Sequence, residues 1–371
     1  MTPNQYLICA YLLAVTFALS WLLTYAMRNV AKRFDILDHP VGRKAHRKPT
    51  PLLGGVAIFA AFYITLLVHI GILTLLQPYG PDWLEINLTP LLGEDGGIKL
   101  TGILVAGVLI FMLGVIDDLH VLSPWKKLIG QILISCILAA FGVRIHLFVF
   151  NDPFTSTFAT VCWMVLIINS MNLLDNMDGL SGGVSIIAAA TFFLCVQPFG
   201  DDFMVRILLV IFMGAVGGFL YHNLPPASIF MGDCGAMFNG FFLGTIAVVG
   251  TFHIEGEGSR IAVVAPAMAL SVPLFDTLSV MYIRWRNGDS IMLGDKRHFS
   301  HRLVDVGMRP PMAVYFIFMV AAIVGLNGAL LPYLKLTGTI IIMAQTLGIF
   351  LLIVLLMNAG KRNGADQENG E

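Results

Sequence analysis

Apolar positions in this chain fall in long, nearly unbroken runs rather than in an alternating or amphipathic period. Eleven runs approach the roughly 20 residues that a bilayer-spanning helix needs. They cover approximately residues 6–27, 53–76, 100–117, 127–143, 157–174, 181–198, 204–222, 235–252, 261–283, 312–331 and 338–357. The pattern predicts an all-α, polytopic membrane protein with about 11 transmembrane helices. Residues 1–358 read as a single transmembrane helical domain, and the short polar segment 359–371 reads as a disordered tail. The first run is too long for a signal-peptide core and no small-residue cleavage site follows it, so it reads as the first membrane helix.

The polar positions carry a second pattern. When the loop at 28–51 is placed in the cytoplasm and the chain alternates from there, segments 117–127, 169–180, 222–235 and 284–311 fall on the same side. Of the 22 Lys and Arg residues, only Lys99, Arg144, Arg206, Arg260 and Lys335 lie on the other side. That bias predicts an N-terminus outside and a C-terminus in the cytoplasm. Each of the five cytoplasmic segments places unusual polar residues at the end of an apolar run, which predicts one shared cytoplasmic-facing site.

The densest of these segments is 169–180. On a helix turning about 100° per residue, Asn169, Asn172, Asp175 and Asn176 share an arc of roughly 120°. Asp178 precedes Gly179 at the expected helix exit. Carboxylates at membrane depth cost several kcal/mol each unless something positive meets them.

Composition sharpens this picture only slightly. The chain is 57% hydrophobic and 12% charged, against about 25% charged in soluble domains. Its net charge of −1 and its low charge density give no sign of a nucleic-acid surface. Cys9, Cys136, Cys162 and Cys195 lie in apolar runs and Cys234 near a helix start. They read as small packing residues, with no spacing for zinc or for a disulfide framework.

Candidate chemistry sits in the five segments. Asp117 and Asp118 are adjacent at a helix exit, where mutual repulsion would be relieved by a divalent cation or a basic ligand. Lys126 and Lys127 follow close enough to fold back. Asp175 and Asp178, with neighbouring asparagine oxygens, are ligands that Mg²⁺ accepts. Asp233 lies between Gly232 and Gly235 at the start of an apolar run, where it could cap the helix or mark a phosphate-binding helix start. His298 and His301, three residues apart, share a helical face. With Lys296, Arg297 and Arg302 they suit a phosphate or diphosphate better than zinc, and a basic surface against lipid headgroups is the alternative. Asp276 lies inside the ninth run behind Pro273, either paired within the bundle or part of the site. His69 reads as a packing residue, and Lys99 and Arg206 as interface anchors.

The order Asp-Asp, Asn-x-x-Asn-x-x-Asp-x-x-Asp-Gly, Met-Gly-Asp-x-Gly and His-x-x-His-Arg resembles the bacterial polyprenyl-phosphate N-acetylhexosamine-1-phosphate transferases, glycosyltransferase family 4. The first loop, with Arg43-Lys44-x-His46 and Pro-x-x-Gly-Gly, resembles it as well, so the similarity runs from about residue 28 to residue 305. The histidine motif is closer to the undecaprenyl-phosphate GlcNAc-1-phosphate branch than to the phospho-N-acetylmuramoyl-pentapeptide branch, which stands as the alternative within the family. The resemblance implies a multi-pass enzyme of the bacterial plasma (inner) membrane with a cytoplasmic active site. It would move a sugar-1-phosphate from a UDP-N-acetylhexosamine to undecaprenyl phosphate, release UMP, and begin cell-envelope glycan synthesis.

The resemblance also implies roles. Asp233 and Asn172 would be metal ligands, for Mg²⁺ or Mn²⁺. Asp117 and Asp118 would either help hold the metal or accept the proton of the lipid phosphate. Asp175 and Asp178 would orient the donor or the metal. Lys126, Lys127, His298, His301, Arg302, Arg43 and His46 would bind substrate. The prenyl chain would lie among membrane lipid in an apolar groove, and a homodimer is compatible. Asn176 departs from the family, in which many members have glycine. Outside the family, a secondary transporter is the rival reading, and it would place its polar residues near the midplane on broken helices.

Overall fold

In the computed structural model, which describes residues 2–39, 49–76, 94–145, 152–196, 203–250, 264–290 and 297–368, the chain is almost wholly helical. In order the helices are α1 (Pro3–Arg33), α2 (Gly54–Leu76), α3 (Glu94–Leu119), α4 (Pro124–Ala140), α5 (Pro153–Leu174), α6 (Leu180–Val196), α7 (Phe203–Asn223), α8 (Gly232–Val249), α9 (Ala265–Ala269), α10 (Ser271–Asn287), α11 (Phe299–Asp305), α12 (Pro310–Leu330) and α13 (Leu336–Glu368). A two-residue antiparallel pair, β1 (Leu37–Asp38) and β2 (Thr50–Pro51), closes the first loop at its base.

Every predicted apolar run carries a helix, but not eleven of full length. Eight helices among the described residues are long and apolar enough to cross a membrane. Helices α4 and α6 have 17 residues each. The run at 261–283 is broken into α9 and α10 at Leu270. Pro273 supplies the reason: it lacks an N–H, and its ring excludes the carbonyl four residues back from helical hydrogen bonding. The last helix runs on to Glu368, past Asn358 where the sequence places the start of a disordered tail.

Helix α8 is the centre of the bundle, packed by α2, α3, α5 and α6. It is 72% buried over its spanning window, whereas α13 is 17% buried. Helix α7 packs against α1 through small residues. A Cβ on Gly218 would come within 2.4 Å of the Phe17 carbonyl. On α1, Thr16, Ser20 and Thr24 are fully buried, and the Ser20 hydroxyl donates to the Ala215 carbonyl at 2.5 Å. Small residues four apart let two backbones approach closely where lipid supplies no hydrophobic drive.

Beneath the polar helix ends, Phe59 of α2 stacks on Phe111 of α3 at 3.9 Å and meets Phe238 of α8 edge-on at 5.4 Å. Aromatic pairs of this kind add about 0.5–1.5 kcal/mol beyond their burial. They tie together the three helices whose ends carry Gly54, Asp118 and Asp233.

Three isolated residues resolve. His69 packs as expected, with Nδ1 against the Thr65 carbonyl at 2.7 Å and Nε2 near the Tyr11 hydroxyl at 3.3 Å. Lys99 is exposed, but Arg206 is 1% exposed and is a buried residue rather than an interface anchor. Cys9, Cys195 and Cys234 are buried as small packing residues, whereas Cys136 and Cys162 lie on outward-facing helix surfaces.

Candidate active site

The polar ends of α3, α4, α5 and α8 meet at one face of the bundle. Helix α3 ends with Asp117 and Asp118. Asp117 is buried, and its Oδ1 accepts the Leu122 N–H at 2.7 Å, folding the connecting loop back. Pro124 then opens α4 at its first position, where the missing N–H costs nothing. Lys127 points inward, ion-paired with Asp117 Oδ2 and 3.0 Å from Asp233 Oδ2. Lys126, one residue earlier on the helix, is exposed.

Asp118 acts on the helix opposite. Its two oxygens accept the N–H groups of Asp233 at 2.6 Å and Cys234 at 3.1 Å, in the first turn of α8. The first N–H groups of a helix have no partner within it, and they favour negative charge. A carboxylate from another helix therefore caps α8 and fixes where Asp233 stands. Gly232 makes room for it: its φ is +74°, and a Cβ there would lie 2.7 Å from Asp118 Oδ2. The expected cap at this helix start exists, but Asp118 supplies it and leaves the Asp233 side chain available.

Helix α5 brings Asn172, whose Nδ2 donates to Asp233 Oδ1 at 2.5 Å. Asn169, deeper on the same face, donates to Gln131 of α4 at 2.6 Å and to the Val165 carbonyl. Asp175 caps the end of α5. Burial, and then the charges of Asp233, Asp118 and Asp178, push its carboxyl up to about 8. Among the described residues the charges that shift it are acidic. Asp178 accepts the Ala227 N–H at 2.9 Å, so one of its oxygens holds the loop that leads into α8. Asn223 braces the same loop, accepting from the Gly179 N–H and donating to the Ile229 carbonyl. Only its position at an apolar run's end hinted at this.

The first loop joins at its base. The Gly54 and Gly55 N–H groups donate to the Phe230 and Met231 carbonyls, and Phe230 N–H donates to Pro51. Gly55 and Gly235 touch backbone to backbone, which explains the Gly-Gly pair. Arg43, His46 and Lys296 lie outside the described residues.

The histidine motif forms α11 and its cap. His298 Nδ1 lies 2.8 Å from Asp276 Oδ2, and Phe299 N–H donates to Asp276 Oδ1 at 2.5 Å. Arg302 donates to the Ser279 hydroxyl at 2.6 Å. Burial pulls the Arg302 guanidinium below its ordinary range, opposed by Asp276. His301 is partly exposed. Asn176, the departure from the family pattern, has a partner here: its Oδ1 accepts the Ser300 hydroxyl at 2.5 Å, tying α11 to the loop that carries Asp175. The described parts of the five polar segments are thus brought to one face.

Among the described residues no three His, Cys, Asp or Glu side chains form a ready metal cage. Mg²⁺ does not require one, since it keeps several waters and takes one or two carboxylates plus substrate phosphates. The donors here are carboxylate and amide oxygens, and Asp175 is surrounded by negative charge, so the residues fit a divalent cation held jointly with an anionic ligand.

A sequence model described as Glycosyl transferase family 4 matches residues 100–251. A decaprenyl-phosphate N-acetylglucosaminephosphotransferase of Mycolicibacterium smegmatis is 30% identical over 92% of this chain and 85% of its own length. A probable undecaprenyl-phosphate N-acetylglucosaminyl 1-phosphate transferase of Bacillus subtilis is 28% identical over 94% of this chain and 90% of its own. An undecaprenyl-phosphate alpha-N-acetylglucosaminyl 1-phosphate transferase of Escherichia coli is 26% identical over 85% and 82%.

Proposed function

This chain belongs to glycosyl transferase family 4, and from that premise we propose that it transfers GlcNAc-1-phosphate from UDP-GlcNAc to undecaprenyl phosphate, releasing UMP. The relatives' names supply the sugar phosphate and the polyprenyl acceptor. The observation that carries the reading is the placing of Asp233, touched by Lys127 from α4, Asn172 from α5 and the Asp118 carboxylate from α3. The reaction takes place at the cytoplasmic face of the bacterial inner membrane, the side to which the basic residues are biased.

The chemistry asks for charge control. A phosphate oxygen of the lipid attacks the β-phosphorus of the donor, and both reactants are anions. Positioning and electrostatic stabilisation supply most of the catalysis. Asp233 and Asn172, with Asp175 beside them, are the residues that would hold Mg²⁺, which would supply Lewis-acid polarisation of the diphosphate. Lys127 stands between Asp117 and Asp233 and offers a cation to the leaving phosphate. Asp117 and Asp118 both have their oxygens engaged, Asp117 by the Leu122 N–H and Lys127 and Asp118 by α8, so whichever of the two takes the acceptor's proton gives up one of these contacts. His298, His301 and Arg302 hold the donor phosphates from the α11 side.

The test is UMP release by purified protein given Mg²⁺, undecaprenyl phosphate and UDP-GlcNAc. Turnover that needs both the lipid and the metal is expected. Flux of a UDP-sugar across proteoliposomes without UMP release would overturn the reading.

A further inference from the structure

Asp276 is 0% exposed and sits one turn inside α10, just past the helix break. No role in the transfer chemistry above requires it. An ionised carboxylate buried this completely costs several kcal/mol unless it is paired and hydrogen-bonded. Here both oxygens are used, and both partners belong to the histidine motif.

The geometry points to Asp276 as the positioning residue of the histidine motif: it fixes the tautomer and ring orientation of His298 while capping the helix that carries His301 and Arg302. Its Oδ2 faces His298 Nδ1 at 2.8 Å. An ionised carboxylate only accepts, so Nδ1 must carry the hydrogen. The other oxygen, Oδ1, accepts the Phe299 N–H, the first of α11. The same turn of α10 anchors the far end of the motif. Ser279 donates to the Asp276 carbonyl at 3.0 Å and accepts from Arg302. Two side chains three apart on α10 thus hold His298 and Arg302, four apart on the motif. Metal-bound histidines that are oriented by a carboxylate on the other ring nitrogen lose about 10–100-fold in metal affinity or activity when that partner is changed, which sets the scale expected here.

Asp276→Asn separates orientation from folding. An asparagine keeps an acceptor for the Phe299 N–H but turns an N–H toward the ring, which forces His298 into the Nε2–H tautomer. Histidine ¹⁵N NMR of the wild-type protein in nanodiscs, without substrate, reads the first point directly. A protonated Nδ1 on His298 in wild type and its loss in Asp276→Asn are expected. A wild-type His298 bearing its only proton on Nε2 would overturn the inference.

The consequence for turnover rests on the transferase reading and is tested by a cycle of Asp276→Asn and His298→Gln. Each single change is expected to lower kcat/KM by about 10–100-fold. The pair is expected to lose no more than about threefold beyond the worse single, because the two act as one unit. Multiplying losses, or wild-type turnover in Asp276→Asn, would sink it. If wild-type protein releases no UMP, the transferase reading falls while the NMR result still decides the orientation.

Discussion

The carboxylate of Asp118 accepts the backbone N–H of Asp233 at 2.6 Å, so one aspartate of the site builds the platform on which another stands. With the Cys234 N–H on its second oxygen, Asp118 closes the first turn of the most buried span. Removing it leaves two inward-facing donors unpaired, each worth about 1–3 kcal/mol when buried. Asp118→Ala is therefore expected to lower the thermal midpoint by several degrees and to reduce UMP release by about 100-fold or more. Asp118→Asn keeps one acceptor and falls between. Midpoints measured by intrinsic fluorescence against temperature check this, and an unchanged midpoint in Asp118→Ala would contradict the capping role.

Gly232 makes the same relationship testable from the other side. Its φ of +74° and the 2.7 Å approach of Asp118 Oδ2 to a notional Cβ act together. An L-residue in the left-handed region costs about 1–2 kcal/mol before any clash. Gly232→Ala should lose activity as severely as Asp118→Ala, and the double variant should lose little more than either alone. Full additivity in that comparison would mean that the two residues act separately.

How much of this was legible beforehand differs between fold and site. Long apolar runs located every helix but α11, because lipid forces helical hydrogen bonding along the whole span. The break at Leu270 is hidden in the apolar run at 261–283, because Pro273 interrupts the helical hydrogen bonding without interrupting the hydrophobic pattern. The five polar segments announced one shared face, but not their pairing. Nothing in the order of residues says that Asp118 rather than Asp233 does the capping, or that Lys127 faces inward and Lys126 outward. Those outcomes depend on which helices become neighbours. Asn176 looked like a departure from pattern, and only the position of Ser300 gives it a partner. The long side chain of Arg206 suggests snorkelling, whereas α7 turns it into the bundle.

Lys127 offers a test of charge balance. It pairs with buried Asp117 and with Asp233 while remaining 21% exposed itself. Lys127→Met strands Asp117 without a cation, at a cost of about 2–3 kcal/mol, less than for a fully buried pair. Activity should fall by about 100-fold. Adding Asp117→Asn should restore the thermal midpoint and leave activity lost. Lys126→Met, on the exposed side of the same helix, should behave like wild type in stability.

Asn176→Gly returns the position to the residue many family members carry. It removes the acceptor for Ser300, a neutral hydrogen bond worth about 0.5–1.5 kcal/mol. A loss of about 3–10-fold in kcat/KM for the UDP-sugar is expected, with an intact fold. Ser300→Ala should show the same loss, and the pair should show no more than either. Steady-state kinetics of the three variants decide it, and opposite effects of the two single changes would break the link.

Asp175 sets the pH behaviour of the metal-free protein. Its carboxyl is pushed up to about 8 by burial and by Asp233, Asp118 and Asp178, from 3.8. A folded-state value above the unfolded one means that the proton is held more tightly in the folded protein. The stability tied to that proton is lost as pH rises through the range between the two values, because ionising Asp175 adds charge to a site already negative. The thermal midpoint of metal-free protein should therefore decline as pH rises toward about 8, and Asp175→Asn should flatten that decline. Divalent metal acts in the opposite sense. It must displace the same proton, so Mn²⁺ affinity measured by titration should strengthen as pH rises and level off above about 8. Asp175→Asn should bind Mn²⁺ weakly and with no such slope. A metal affinity in wild type that is flat across this range would show that Asp175 does not share its charge with the metal site.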